Sequence, residues 1–181
     1  MQKLLALVLA LVCLCTLLPA AAEEAPALNL PMTVEAYMDA YTTVLTDVAE
    51  GCTVTWSSAA MEEGVCWMAT VNGSITSVMV LAVDGQASEV AVLLQSDLTE
   101  DTLLTFLSMA GYAGAALLKD EDTTSVQACD AFVNEVFNVF TAIYEGNSPD
   151  NIYGLPGALN ISIVEEGVYQ YYFIIKLDTA Q

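Results

Sequence analysis

The stretch GVCWMATVNGSITSVMVLAVDGQASEVAVLL, residues 64–94, decides the fold. Asn72-Gly73 and Asp84-Gly85 each sit between apolar, β-branched runs, and both dipeptides favour the positive φ of a two-residue hairpin turn. The stretch therefore predicts a meander with strands near 65–71, 75–83 and 87–95. A run at 52–58 adds a fourth strand, closed by the loop around Met61-Glu62-Glu63-Gly64. If Thr53–Ser57 pairs with Val65–Thr70 there, Cys66 falls near Trp56 and Cys52 near Thr70.

Two-residue turns set a register, and the register sorts the side chains. Cys66, Met68 and Thr70 share one face with Ile75, Ser77, Met79, Leu81 and Val83, and then with Val90, Val92 and Leu94. Trp56, Val54 and Cys52 join them through the first hairpin, and this face is expected to be the core side. The other face carries Thr53, Thr55, Val65, Trp67, Ala69, Thr76, Val78, Val80, Glu89, Ala91 and Leu93. It lacks the polar residues expected of a sheet with one side in water. Trp67, Val78, Val80 and Ala91 would form an apolar spot rimmed by Thr53, Thr55 and Thr76, and such a spot on an exposed face marks an interaction site. Cover by the C-terminal hairpin, by a helix or by a second copy is the competing expectation, and one misplaced turn would exchange the faces.

Outward from the meander, Thr33 can cap a helix with apolar residues Val34, Tyr37, Met38, Tyr41, Val44, Leu45 and Val48 at three- and four-residue spacing, ended by Gly51. A second helix begins after Asp97 or Thr99. Its small residues, from Ala110 through Gly111 and Gly114 to Ala116, imply either close packing against a neighbour or a break at the glycines. The acidic link Asp120-Glu121-Asp122 leads to a third helix with Val126, Cys129, Phe132, Val133, Val136, Phe140 and Ile143 on one face, stopped at Glu145-Gly146-Asn147. The chain closes with a hairpin whose loop Glu165-Glu166-Gly167 would pair Ile163 with Tyr169, Ile161 with Tyr171 and Leu159 with Phe173. The order α-ββββ-α-α-ββ predicts one α+β domain over 32–178: a mainly antiparallel sheet, a four-stranded meander plus a C-terminal hairpin, with about three helices on one face.

Before it lies an extended lead-in, 23–31. Residues 1–22 read as a secretory signal peptide: Lys3, an apolar run from Leu4 to Leu18, then Ala20 and Ala22 before a cut at Glu23. The run is shorter than the ~20 residues of a spanning helix, which argues against an uncleaved anchor. A lipid anchor on Cys13 or Cys15 lacks the small residue that should precede it. Cleavage leaves about 160 residues, enough for one domain to bury roughly two-thirds of its unfolded surface. Export of the mature chain, to the medium or the cell envelope, is the expectation.

Charge and composition narrow the chemistry further. The chain holds 23 Asp and Glu against 3 Lys and Arg, a formal charge of −20. Such a surface repels phosphate backbones and anionic lipid heads, so neither nucleic acid nor a membrane surface is an expected partner. A protein, peptide or glycan, or a second copy, remains. Without His or Arg, His-based triads, His-ligated metals and Arg phosphate clamps are excluded. There is no Ser-x-x-Lys, phosphate loop or dinucleotide fingerprint, and nothing points to a cofactor.

Carboxylate pairs are the remaining catalytic option, and Glu62-Glu63 and Glu165-Glu166 are adjacent pairs in turns, where solvated acids are the rule. The loop Glu145 to Asn151 offers hard oxygen ligands of the kind calcium prefers but matches no EF-hand spacing. Asn72-Gly73-Ser74 and Asn160-Ile161-Ser162 fit glycosylation sequons. Tyr153, Tyr169, Tyr171 and Tyr172 could line a sugar or peptide site or simply pack the closing hairpin. Three cysteines follow the cut: Cys52, Cys66 and Cys129. The predicted register separates Cys52 from Cys66 by about 13 Å, beyond the ~7 Å reach of a disulfide. Either could meet Cys129, although small buried thiols are the commoner role. Together these residues point to an exported non-catalytic binding or interaction module, with an extracellular carboxylate-dependent hydrolase and a calcium-stabilised structural domain as alternatives.

Overall fold

The positive-φ turns are where the dipeptides place them. In a computed structural model that describes residues 26–177, Asn72 and Gly73 have φ of 51° and 77°, and Asp84 and Gly85 have 51° and 79°, the signature of type I′ turns. Chain order is α1 (Val34–Val48), β1 (Val54–Met61), β2 (Gly64–Val71), β3 (Ser74–Val83), β4 (Gln86–Ser96), α2 (Glu100–Ala115), α3 (Ser125–Tyr144), β5 (Asn151–Ile152), β6 (Leu155–Glu165) and β7 (Val168–Lys176). The expected leader, residues 1–22, lies outside the described residues. The α+β class and the expected order hold, with the short β5 added.

The strands form one seven-stranded antiparallel sheet in the order β1-β2-β3-β4-β7-β6-β5. The C-terminal hairpin extends the meander instead of covering it, because β7 pairs with β4 from Glu89↔Lys176 to Ser96↔Tyr169. Its own register is the expected one: Leu159↔Phe173, Ile161↔Tyr171 and Ile163↔Tyr169. The β5–β6 turn, Tyr153-Gly154, also has both φ positive, at 53° and 79°. A tyrosine is a poor candidate for that geometry, so no local signal announces it. Contacts hold it there: the Tyr153 N–H donates to Glu135 at 3.0 Å, its hydroxyl donates to the Pro26 carbonyl at 2.6 Å, and its ring stacks on Phe132 with centroids 5.5 Å apart.

Each helix opens on a threonine cap. Thr33, Thr99 and Thr124 accept from the backbone N–H of Ala36, Thr102 and Gln127, and Gln127 completes a capping box with Thr124, satisfying donors that the first helical turn leaves unpaired. All three helices lie on one side of the sheet. Against them pack Ala69, Val78, Val80, Ala82, Val90, Val92, Leu159, Tyr171, Phe173 and Ile175, all buried. The lead-in is fastened too: the Asn29 N–H donates to Leu117 O, and Met32 O accepts from the Ala87 N–H.

The strands depart from expectation in three places. Between β2 and β3 the register slips by two residues between Thr70↔Ile75 and Met68↔Met79, so Trp67 opposes Val80, an even shift that leaves the faces of these two strands as they were. In the first hairpin the turn is the tighter one at Glu62-Glu63, so Cys66 opposes Ala59 and Trp56 opposes Ala69. The largest correction concerns the faces. Ala82 pairs with Ala87, but the next pair is Leu81 with Glu89, so Ser88 is an extra residue on β4, its hydroxyl donating to Leu81 O at 3.1 Å. This bulge moves Val90 and Val92 opposite Val80 and Val78, on one common face. That face is the helix-covered core, and the expected core face of β2 and β3 is the one left open.

Candidate functional site

With the helices on one side, the other side of the seven-stranded sheet has no helix over it. Its side chains follow from register. One rung crosses β2, β3, β4, β7 and β6 as Met68, Met79, Ala91, Ile174 and Ala158. On one side of it run Cys66, Leu81, Glu89 and Lys176. On the other run Leu93, Tyr172 and Asn160, and then Gln95, Gln170 and Ser162. Met68, Met79, Leu81, Ala91, Leu93, Ala158, Tyr172 and Ile174 are all half-buried, neither in the core nor freely exposed. Neighbouring rungs lie on this face at alternate residues, about 6.6 Å apart, with strands about 4.8 Å apart, so these side chains form one contiguous apolar field.

The residues singled out in the sequence fall differently. Val78 and Val80 are fully buried, and Trp67, half-buried, packs against the same core. They form no exposed surface, because the helices cover them. Ala91 is on the open face, but beside Met79 and Ile174 and away from Trp67. Thr55 is exposed and opposes Thr70 at the β1 edge. Thr53 is exposed just before β1, its N–H donating to the Asn72 side chain at 2.9 Å; Thr76 lies within β3. The open face is centred instead on Met79, Leu93, Tyr172 and Ile174, a set that sequence reasoning misses. Glu89 and Lys176 are the available signal, since both need solvent and the strands they occupy carry these apolar residues at even spacing.

Electrostatically the field is quiet. Away from the hairpin tips its charged residues are Glu89 and Lys176, cross-strand partners of opposite sign. Burial first, and then the Glu89 charge, push the Cys66 thiol up from its ordinary value, so at neutral pH it stays a protonated, weakly nucleophilic group. Cys52, Cys66 and Cys129 are all free.

The other candidates resolve locally. Glu62-Glu63 joins β1 to β2 and Glu165-Glu166 lies at the β6–β7 turn, at opposite ends of the sheet, so the two pairs share no cleft. In the acidic link, Asp120 accepts from the N–H groups of Asp122 and Thr123 at 3.0 and 2.7 Å, and Thr123 hydrogen bonds hold its carboxyl below the usual range. Among the described residues no group of three or more Cys, Asp or Glu side chains is placed to hold a metal ion. Of the tyrosines, Tyr171 is buried, donating to Asp97 O at 2.9 Å, and Tyr153 is stacked on Phe132. Tyr172 reaches the open face. No helix among the described residues is long and apolar enough to cross a membrane. No family model, curated protein or solved structure matches the chain.

Proposed function

We propose that this chain is an exported, non-catalytic interaction module whose contact surface is the open face of its sheet. The observation that carries the proposal is the rung Met68, Met79, Ala91, Ile174 and Ala158, apolar over five adjacent strands on a face with no helix over it. A sheet face left to solvent alternates to polar residues, and an apolar field of this extent loses free energy for as long as water covers it. Its partner therefore presents an apolar complement. The acidic surround, part of a formal charge of −20, disfavours anionic partners and leaves a neutral or cationic protein, peptide or glycan surface, or another copy. Export rests on residues 1–22, with their single Lys3, apolar run and small residues before Glu23.

The test is titration of the folded protein with an apolar fluorescent dye, at the lowest protein concentration that gives a signal. Saturable binding is expected, reduced about tenfold by Met79→Glu while the urea midpoint of unfolding changes little. A folded protein that binds no dye, or binds it equally after Met79→Glu, would exclude the open face as the contact surface.

A further inference from the structure

We infer that the occupant of the open face is a second copy of this chain, stacked sheet on sheet about a two-fold axis that runs parallel to the strands between β4 and β7. The inference rests on the open face being the contact surface, and three observations select the occupant.

The first is charge. Helices and turns carry the acids, among them Glu35, Asp39, Glu100, Asp101 and Asp130, so two copies repel wherever those surfaces meet. The open face is the exception, with Glu89 and Lys176 cancelling within it. Two copies can approach there without placing like charges in contact.

The second is self-complementarity. In the order β3-β4-β7-β6, a two-fold between β4 and β7 lays β4 over β7 of the second copy and β3 over its β6. Glu89 then lies over Lys176, because those residues occupy the same rung. The same operation sets Ala91 over Ile174 and Leu93 over Tyr172, small or branched against large. One strand further out it sets Met79 over Ala158, which share the rung of Ala91 and Ile174. Every pairing occurs twice, as an isologous interface requires. Packed sheets sit about 10 Å apart with strands within about 30° of one another, so pairs near the axis stay in register despite the twist.

The third is size. A two-fold between β4 and β7 overlaps six of the seven strands and leaves β1 outside; six strands at about 4.8 Å and rungs over about 20–25 Å give roughly 600–700 Å² of flat sheet before side-chain relief, close to the ~800 Å² per partner of a stable interface.

The experiment is sedimentation over a concentration series for the wild type, Lys176→Glu, Glu89→Lys and the equimolar mixture of the two variants, with circular dichroism checking that each is folded. A wild-type dimer is expected. Each variant alone should dissociate at about tenfold or more higher concentration, since its homodimer sets like charges against one another. The mixture should recover a heterodimer, because the two carboxylates that one variant carries at positions 89 and 176 then face the two ammonium groups of the other. Only contact between chains yields that recovery; within each variant the cross-strand neighbours remain alike. A wild type that stays monomeric, or a dimer indifferent to both substitutions, would overturn the stacked dimer. Dye binding lost with Met79→Glu would in that event still uphold the open face, and its absence would remove both.

Discussion

Tyr37 shows how much one side chain decides in this core. It is fully buried on α1, and its hydroxyl donates to the Ala113 carbonyl on α2 at 2.8 Å. Tyr37→Phe leaves that carbonyl without this donor in a region water does not reach, and should lower stability by about 1–2 kcal/mol in urea unfolding. Cys129 on α3 acts through protonation. Burial first, then Asp130 and Asp47, push its thiol up to about 11. Above the ordinary thiol value of ~8.5 the unfolded chain gives up this proton while the folded chain keeps it, so stability falls with rising pH. Its contribution is whole below that range and is lost as pH rises through about 11. Melting temperature should therefore drop between pH 9 and 11 more steeply in the wild type than in Cys129→Ala.

At the scale of elements, α2 and α3 approach closely because two positions lack a side chain. A Cβ on Gly114 would sit 1.9 Å from the Phe132 ring, and one on Gly111 would sit 2.4 Å from Val133. Alanine favours a helix over glycine by about 1 kcal/mol, yet here the clash dominates. Gly114→Ala should destabilise the fold by about 2–4 kcal/mol, measured as a lower urea midpoint; a neutral or stabilising result would mean the helices can separate freely. The small-residue run implies either this packing or a break, and α2 runs unbroken through both glycines. Helix caps and hairpin turns are legible because they are local: Thr33, Asn72-Gly73 and Asp84-Gly85 act within four residues of themselves. The Ser88 bulge is not, because nothing in Gln86-Ala87-Ser88-Glu89 favours an extra residue until β3 and the helices compete for Val90 and Val92.

Across the whole molecule, charge and hydrophobicity are segregated. The helices and loops hold the acids, and the open sheet face holds an apolar field with one balanced pair of charges. If two copies stack there, their remaining acidic surfaces repel over distances that salt screens, while the apolar contact is indifferent to it. Raising salt from about 50 to 500 mM should tighten the dimer several-fold by sedimentation; weakening would assign the affinity to Glu89 and Lys176 instead. The candidate surface is the least legible feature in the sequence. Both faces of β2 and β3 are apolar, so alternation alone can divide Trp67, Val78 and Val80 from Met68, Met79 and Leu81 without revealing which set the helices bury.

The sequence by itself determined the α+β class, the order of the elements other than β5, the turns at Asn72-Gly73 and Asp84-Gly85 and the pairing of the closing hairpin, because each depends on periodicity and on residues near one another in the chain. Tertiary structure decided which face is core. That choice rests on a one-residue bulge at Ser88 and on three helices that bury Val78, Val80, Val90 and Val92 together, contacts between residues far apart in the chain. It also held Tyr153 at a positive φ through Glu135, Phe132 and Pro26, partners that lie 18 or more positions away. A period of two tells a strand which residues share a side, and only packing against the rest of the chain tells it which side is in.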